Sequence, residues 1–168
     1  MKLYISERFL SQKDKAAVTD EGGNIRYYVR GDFAIAKKYC VEDTQGRELA
    51  SVLQKKISST GTCVINRNGK VVAEIVPKIT LIKPKYAVKG FDWTIEGNFS
   101  QDKYAIKSNG ETIVEVNVKL FTKGNAYEIN ISEGIDEVNA IASVLIIEGI
   151  FEYTVFTAAT QSAINTNH

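Results

Sequence analysis

Histidine and cysteine are nearly missing from this chain of 168 residues, which has one histidine, the terminal His168, and two cysteines, Cys40 and Cys63. A zinc centre of the Cys/His type needs more ligands than that, and a Ser-His-Asp or Cys-His engine needs a histidine beside its nucleophile. Both classes are excluded within one subunit. Proline is as scarce. Pro77 and Pro84 flank a connection between hairpins, where a missing amide donor does least harm. No net basic excess and no base-stacking motif are present, so nucleic acid is not an expected partner. The N-terminus M-K-L-Y-I-S-E-R-F-L has Glu7 inside a short apolar stretch and no small-residue cleavage site. It does not read as a signal peptide, and a reducing cytoplasm is the expected location.

What is present fits one ordinary globular domain, 44% apolar and 24% charged, large enough to bury about two-thirds of its unfolded surface. The net charge of +1 hides an asymmetry. Residues 1–92 hold 17 Lys/Arg against 10 Asp/Glu, whereas residues 93–168 hold 4 against 10. The simplest consequence is that the two halves neutralise each other.

Self-similarity is the strongest signal. A strand ends in a turn rich in Asp, Asn and Gly, and a second strand returns. The turn positions Asp20, Asp43, Asn66 and Lys89 are evenly spaced by 23 residues, with a shorter step to Ser108. Asp, Asn and Gly supply the positive φ and local side-chain bonds that tight hairpins require. The first strand of each unit carries Tyr39/Val41, Thr62/Val64, Tyr86/Val88, Tyr104/Ile106 and Tyr127/Ile129 at alternate positions. Alternate residues share a face, so each pair is expected to point inward. Cys40 and Cys63 then occupy equivalent outward places on neighbouring hairpins and are expected as free thiols. About twelve strands, from Lys2–Phe9 to Ala126–Ile131, precede a segment over 135–156 that is apolar nearly all round at helical spacing. Asp136 or Ser132 can cap it, with Glu137 in the first turn. Such a helix must be surrounded. A mostly antiparallel sheet closed into a β-barrel around it satisfies both elements, with one domain over 1–156 and a polar tail over 157–168.

The hairpins Y-C-V-E-D-T-Q-G-R-E-L-A and T-C-V-I-N-R-N-G-K-V-V-A-E-I, the centre K-P-K-Y-A-V-K-G-F-D-W-T-I-E-G-N-F and the apolar helix after the last strand carry a family's repeat. On these the chain resembles the LURP-one-related family, which shares the tubby C-terminal-like fold with phospholipid scramblases. Its short form resembles a bacterial member. The resemblance implies a twelve-stranded barrel around a central helix. It implies little about activity, although tubby proteins bind phosphoinositides. The chain has no proline-rich N-terminal region and no cysteine cluster for palmitoylation, so scramblase activity does not carry over.

Lys37, Lys38, Lys55, Lys56, Lys78, Lys83 and Lys85 recur near the repeat period, with Lys119 and Lys123 in the later equivalent place. Gathered at one end of a barrel, they would attract a phosphoinositide headgroup or an anionic membrane surface. Dispersed, they would be solvated guards of strand ends. The expectation is therefore a non-enzymatic cytoplasmic domain, peripheral at the membrane if it binds lipid, with an anionic lipid or a protein as partner. Its oligomeric state is open. The alternative, a membrane-anchored scramblase-like protein, would use the helix as a span. Glu148 and Glu152 inside the apolar stretch argue against that. No metal or cofactor is expected, since the carboxylate pairs in turns lack the spacing of a calcium loop.

Overall fold

The hydrophobic alternation closes on itself. In the computed structural model, residues 1–6, 15–32, 37–55, 61–78, 84–121 and 124–151 are described. They form strands β1 (Lys2–Ser6), β2 (Lys15–Asp20), β3 (Ile25–Asp32), β4 (Lys38–Glu42), β5 (Glu48–Gln54) and β6 (Cys63–Arg67). These are followed by β7 (Lys70–Lys78), β8 (Lys85–Lys89), β9 (Trp93–Asn98), β10 (Lys103–Ser108), β11 (Glu111–Lys119) and β12 (Ala126–Ile131). Each strand pairs antiparallel with its sequence neighbours, and β1 pairs with β12, for example Leu3 opposite Ile129. The result is a closed twelve-stranded antiparallel barrel, which has no free edge to protect.

Up-and-down order gives the barrel two unlike ends. Tight turns follow β2, β4, β6, β8 and β10, and the longer connections lie at the other end. Asn68-Gly69 and Asn109-Gly110 take positive φ at both central residues, the turn whose twist suits adjoining strands. Asp20 and Asp43 build a different turn. Each carboxylate accepts two backbone N–H bonds at 2.9 Å, from Gly22 and Asn24 and from Gln45 and Arg47. The register shifts near the turn on β2, β4, β6 and β10, at Val18/Thr19, Val41/Glu42, Ile65/Asn66 and Ile106/Lys107.

After β12 the chain turns back through the barrel as α1 (Glu137–Leu145), continued by a π-helical turn over Ile146–Phe151. Asp136 is the N-cap, accepting from the Asn139 N–H at 2.8 Å, and Glu137 sits in the first turn. Arg67 holds this end by donating to Asp136 at 2.8 Å and to Asn139 at 3.2 Å. Residues 140–150 are all buried. The helix's apolar side chains form one cluster with inward residues of every strand sampled around the wall, from Leu3 and Val18 to Ile106 and Ile129. The expected helix end at Phe156, Glu152 and the tail over 157–168 lie outside the described residues.

One inward assignment is corrected. Cys63 and Ile65, not Thr62 and Val64, belong to the interior cluster. The step from Tyr39 to its counterpart on β6 is 24 residues rather than 23, and a slip of one residue exchanges the faces of a strand. Cys40 and Cys63 therefore lie on opposite sides of the wall. Both are free thiols.

Candidate functional site

Parity along the strands decides what each rim residue can do. Strands β4, β8, β10 and β12 enter the barrel from the long-connection end. Each places a tyrosine in the same interior layer, namely Tyr39, Tyr86, Tyr104 and Tyr127, with Cys63 in that place on β6. The last described turn of the helix reaches this layer. Gly149 lies so close to the Tyr39 ring that a Cβ there would stand 2.4 Å from it. The Tyr39 hydroxyl donates to the Gly149 carbonyl at 3.4 Å. Glu148 is only 6% exposed and faces the enclosed Tyr104 hydroxyl. That hydroxyl makes no hydrogen bond of ordinary geometry among the described residues. Burial first, and then the Glu148 charge, holds its phenol well above the usual value of 10. The acidic residue in the apolar helix thus ends up among tyrosines beneath the rim.

The expected lysines separate by the same parity. Lys37 shares the phase of Tyr39 and turns inward, donating to the Gly149 carbonyl at 2.7 Å. This lysine is therefore tied to the backbone of the helix and not to the outer rim. Lys38, Lys55, Lys78 and Lys85 stand at the long-connection ends of β4, β5, β7 and β8. They span an arc of four strand spacings, about 19 Å. Lys56 and Lys83 fall outside the described residues, as does Lys123. Lys15, Lys103 and Lys119 occupy the same end of β2, β10 and β11 and extend the arc. Lys15 and Lys103 carried no repeat signal in the sequence. What marks them is their place just before an inward residue, Ala16 or Tyr104.

Most of these charges are already matched on the outer wall. Lys55 pairs with Glu74, Lys85 with Glu96 at 2.6 Å, Lys15 with Glu42 at 2.8 Å, Lys119 with Glu128 at 3.6 Å and Lys38 with Glu48 at 3.8 Å. Lys78 and Lys103 have no ion pair among the described residues. Glu96 is bridged by Lys107 and Lys85 on the two strands beside it, which lower its carboxyl to about 2. A groove on the outer wall, about 580 Å³, has Tyr4 and Phe121 as aromatic sides and small residues such as Ala17, Thr19 and Ala126 between them, and it reaches the lysine end at Ser6, Phe121 and Gly124. Another, about 290 Å³, is lined by Lys38 and Glu48. The rim itself is a charged surface. Among the described residues no cluster of His, Cys, Asp or Glu could hold a metal ion, and no helix is long and apolar enough to cross a membrane.

Comparison with known proteins places this architecture. The sequence model of the LURP-one-related family matches residues 1–148. The chain belongs to the LURP-one-related family. This LURP-one-related chain is 28% identical over 148 residues to the uncharacterized protein YxjI of Bacillus subtilis, covering 86% of this chain and 91% of that one. A bacterial relative of this length agrees with the bacterial form expected from the sequence. The X-ray structure of a protein from Arabidopsis thaliana shares the fold, with a TM-score of 0.57 at 12% identity over 88% of this chain and 89% of that one.

Proposed function

We propose that this LURP-one-related domain is a non-catalytic module that binds an anionic lipid surface, phosphoinositide headgroups included, through the long-connection end of its barrel. The observation that carries the reading is the gathering of Lys15, Lys38, Lys55, Lys78, Lys85, Lys103 and Lys119 at one end of a closed sheet. Each lysine near an anionic leaflet contributes about 1 kcal/mol. The pairs whose two partners are both partly exposed, such as Lys38 with Glu48 and Lys55 with Glu74, oppose this only weakly, at about 0–1 kcal/mol each, so a phosphate can replace the carboxylate there at little cost. The buried carboxylates of Glu42 and Glu128 hold Lys15 and Lys119 more firmly. Lys78 and Lys103 have no ion pair to exchange among the described residues. Among the described residues most of the interior is filled by apolar side chains of wall and helix. The helix is spent on that core, which disfavours its use as a membrane span. The domain would then act peripherally, at the cytoplasmic face of a membrane.

Co-sedimentation with vesicles tests this directly. The full chain should pellet with phosphatidylcholine vesicles containing phosphatidylserine, stay in solution with phosphatidylcholine alone, and be released by salt. Lys78→Glu combined with Lys103→Glu should abolish pelleting without changing the melting temperature. Equal recovery in the supernatant with both vesicle types overturns the reading.

A further inference from the structure

Among the described residues, five large apolar side chains are exposed: Met1, Ile25, Val71, Leu120 and Phe121. The first three stand singly at the tight-turn end, at the starts of β1, β3 and β7. Leu120 and Phe121 are adjacent and stand at the lysine end, immediately after β11. Isolated exposed apolar residues are common and call for no account. An adjacent pair in a turn, where polar residues are the rule, does.

Leu120 continues the inward phase of Val116 and Val118, but it has run past the rim of the wall, so no interior remains to receive it. It is 81% exposed. Phe121, 52% exposed, folds back edge-on against Tyr4 with ring centroids 5.9 Å apart. The Gly124 N–H then closes the turn on the Phe121 carbonyl at 3.1 Å. Phe121 is thereby fixed to the wall, and Leu120 is held out as the tip. Lys119 precedes the pair, and Lys103 lies on the neighbouring strand. An apolar tip ringed by cations is the composition that seats in the headgroup–acyl boundary of an anionic membrane.

We infer that Leu120, supported by Phe121, inserts into the membrane when the lysine end docks. The domain would then hold lipid by a hydrophobic tip as well as by charge, with the barrel's tight-turn end directed away from the surface. This rests on the lipid-surface reading above, and the same assay separates the two. Vesicles of phosphatidylcholine with and without phosphatidylserine are titrated with the native chain, Leu120→Ser and Leu120→Trp. The native Trp93 is the sole tryptophan and lies at the start of β9, at the opposite end, so it serves as the blank.

The expected result is about tenfold weaker binding for Leu120→Ser, with an unchanged melting temperature. Leu120→Trp should show an emission blue shift on anionic vesicles that the native chain lacks. Native binding that is salt-sensitive but indifferent to Leu120→Ser, with no shift for Leu120→Trp, overturns insertion and leaves the charged rim standing. No binding to either vesicle type overturns both.

Discussion

The close approach of Gly149 to Tyr39 carries the sharpest prediction. A Cβ at Gly149 would lie 2.4 Å from Cε2, 2.6 Å from Cζ and 2.8 Å from the hydroxyl of Tyr39. None of these is a tolerable separation. Tyr39 has no exposed surface and is packed in the core cluster, so its ring cannot swing aside without displacing neighbours. Overpacking of this kind costs about 1–3 kcal/mol. Alanine returns at most about 1 kcal/mol of helix propensity, and less within a π-helical turn. Gly149→Ala should therefore destabilise the domain by about 2 kcal/mol, lowering Tm by roughly 4–8 °C for a chain of this size. Urea unfolding followed by far-ultraviolet circular dichroism measures it. The decisive control is the Tyr39→Leu background, where the ring is gone. There Gly149→Ala should be neutral or better, giving a coupling of about 2 kcal/mol in the double-mutant cycle. Equal stability of Gly149→Ala and the native chain would show that the helix does not press on Tyr39, and the account of this end of the barrel would fail.

Three further outcomes follow from the wall. Glu96 has a folded-state carboxyl lowered to about 2 from 4.5 by Lys107 and Lys85, so its pairing is fully present above about pH 4.5 and fades as pH falls toward 2. Glu96→Gln should be about 1 kcal/mol less stable than native at neutral pH, after allowance for a side chain 31% exposed. That gap should close near pH 2 in urea melts, and a gap independent of pH refutes the assignment. Removing the N-cap carboxylate with Asp136→Ala should cost about 1 kcal/mol or more, since Arg67 also loses its partner. Asp136→Asn should recover part of this, and equal losses would show that capping contributes nothing. Burial raises the Cys63 thiol to about 12, and burial with the Glu48 carboxylate raises Cys40 to about 11. A disulfide reagent at mildly alkaline pH should leave both unmodified in the folded chain and label both in urea. Rapid labelling of the native chain would contradict the burial of these thiols.

The fold was legible because its two signals are both about burial. Alternate apolar residues in each hairpin demanded one covered face, and a helix apolar on every side demanded a complete enclosure. Of the two caps the sequence offered, Asp136 and Ser132, the structure uses Asp136, with Glu137 in the first turn as expected, because a cap is local chemistry. The error at Thr62 and Val64 shows the limit. The step from Tyr39 was read as 23 residues, like the step between the turns at Asp43 and Asn66, while one extra residue between β4 and β6 brings Cys63 inward. Both alternatives put a small residue beside a β-branched one, Thr62 with Val64 or Cys63 with Ile65, so the sequence held nothing to choose between them. The structure chooses by pairing, setting Ile65 opposite Val52 and Cys63 opposite Ile75.

The candidate surface was less legible for a reason that also bears on how it would work. Lysine at a strand end serves solubility, edge protection and anion binding equally well, and sequence spacing cannot say which neighbour it meets. Parity separates them once the register is known. Lys37, one residue from Lys38, faces inside and bonds to the Gly149 carbonyl, whereas Lys38 faces out toward Glu48. Outward lysines meet carboxylates supplied by a neighbouring strand, such as Glu128 beside Lys119 or Glu96 beside Lys85, or by the next strand but one, as Glu74 for Lys55. The partly exposed pairs among them hold the lysines at the rim yet are weak enough to exchange. The apolar signal was available all along, in Leu120-Phe121 directly after Lys119. It reads as the end of a strand until closure of the barrel shows that the strand has already passed its last covered position.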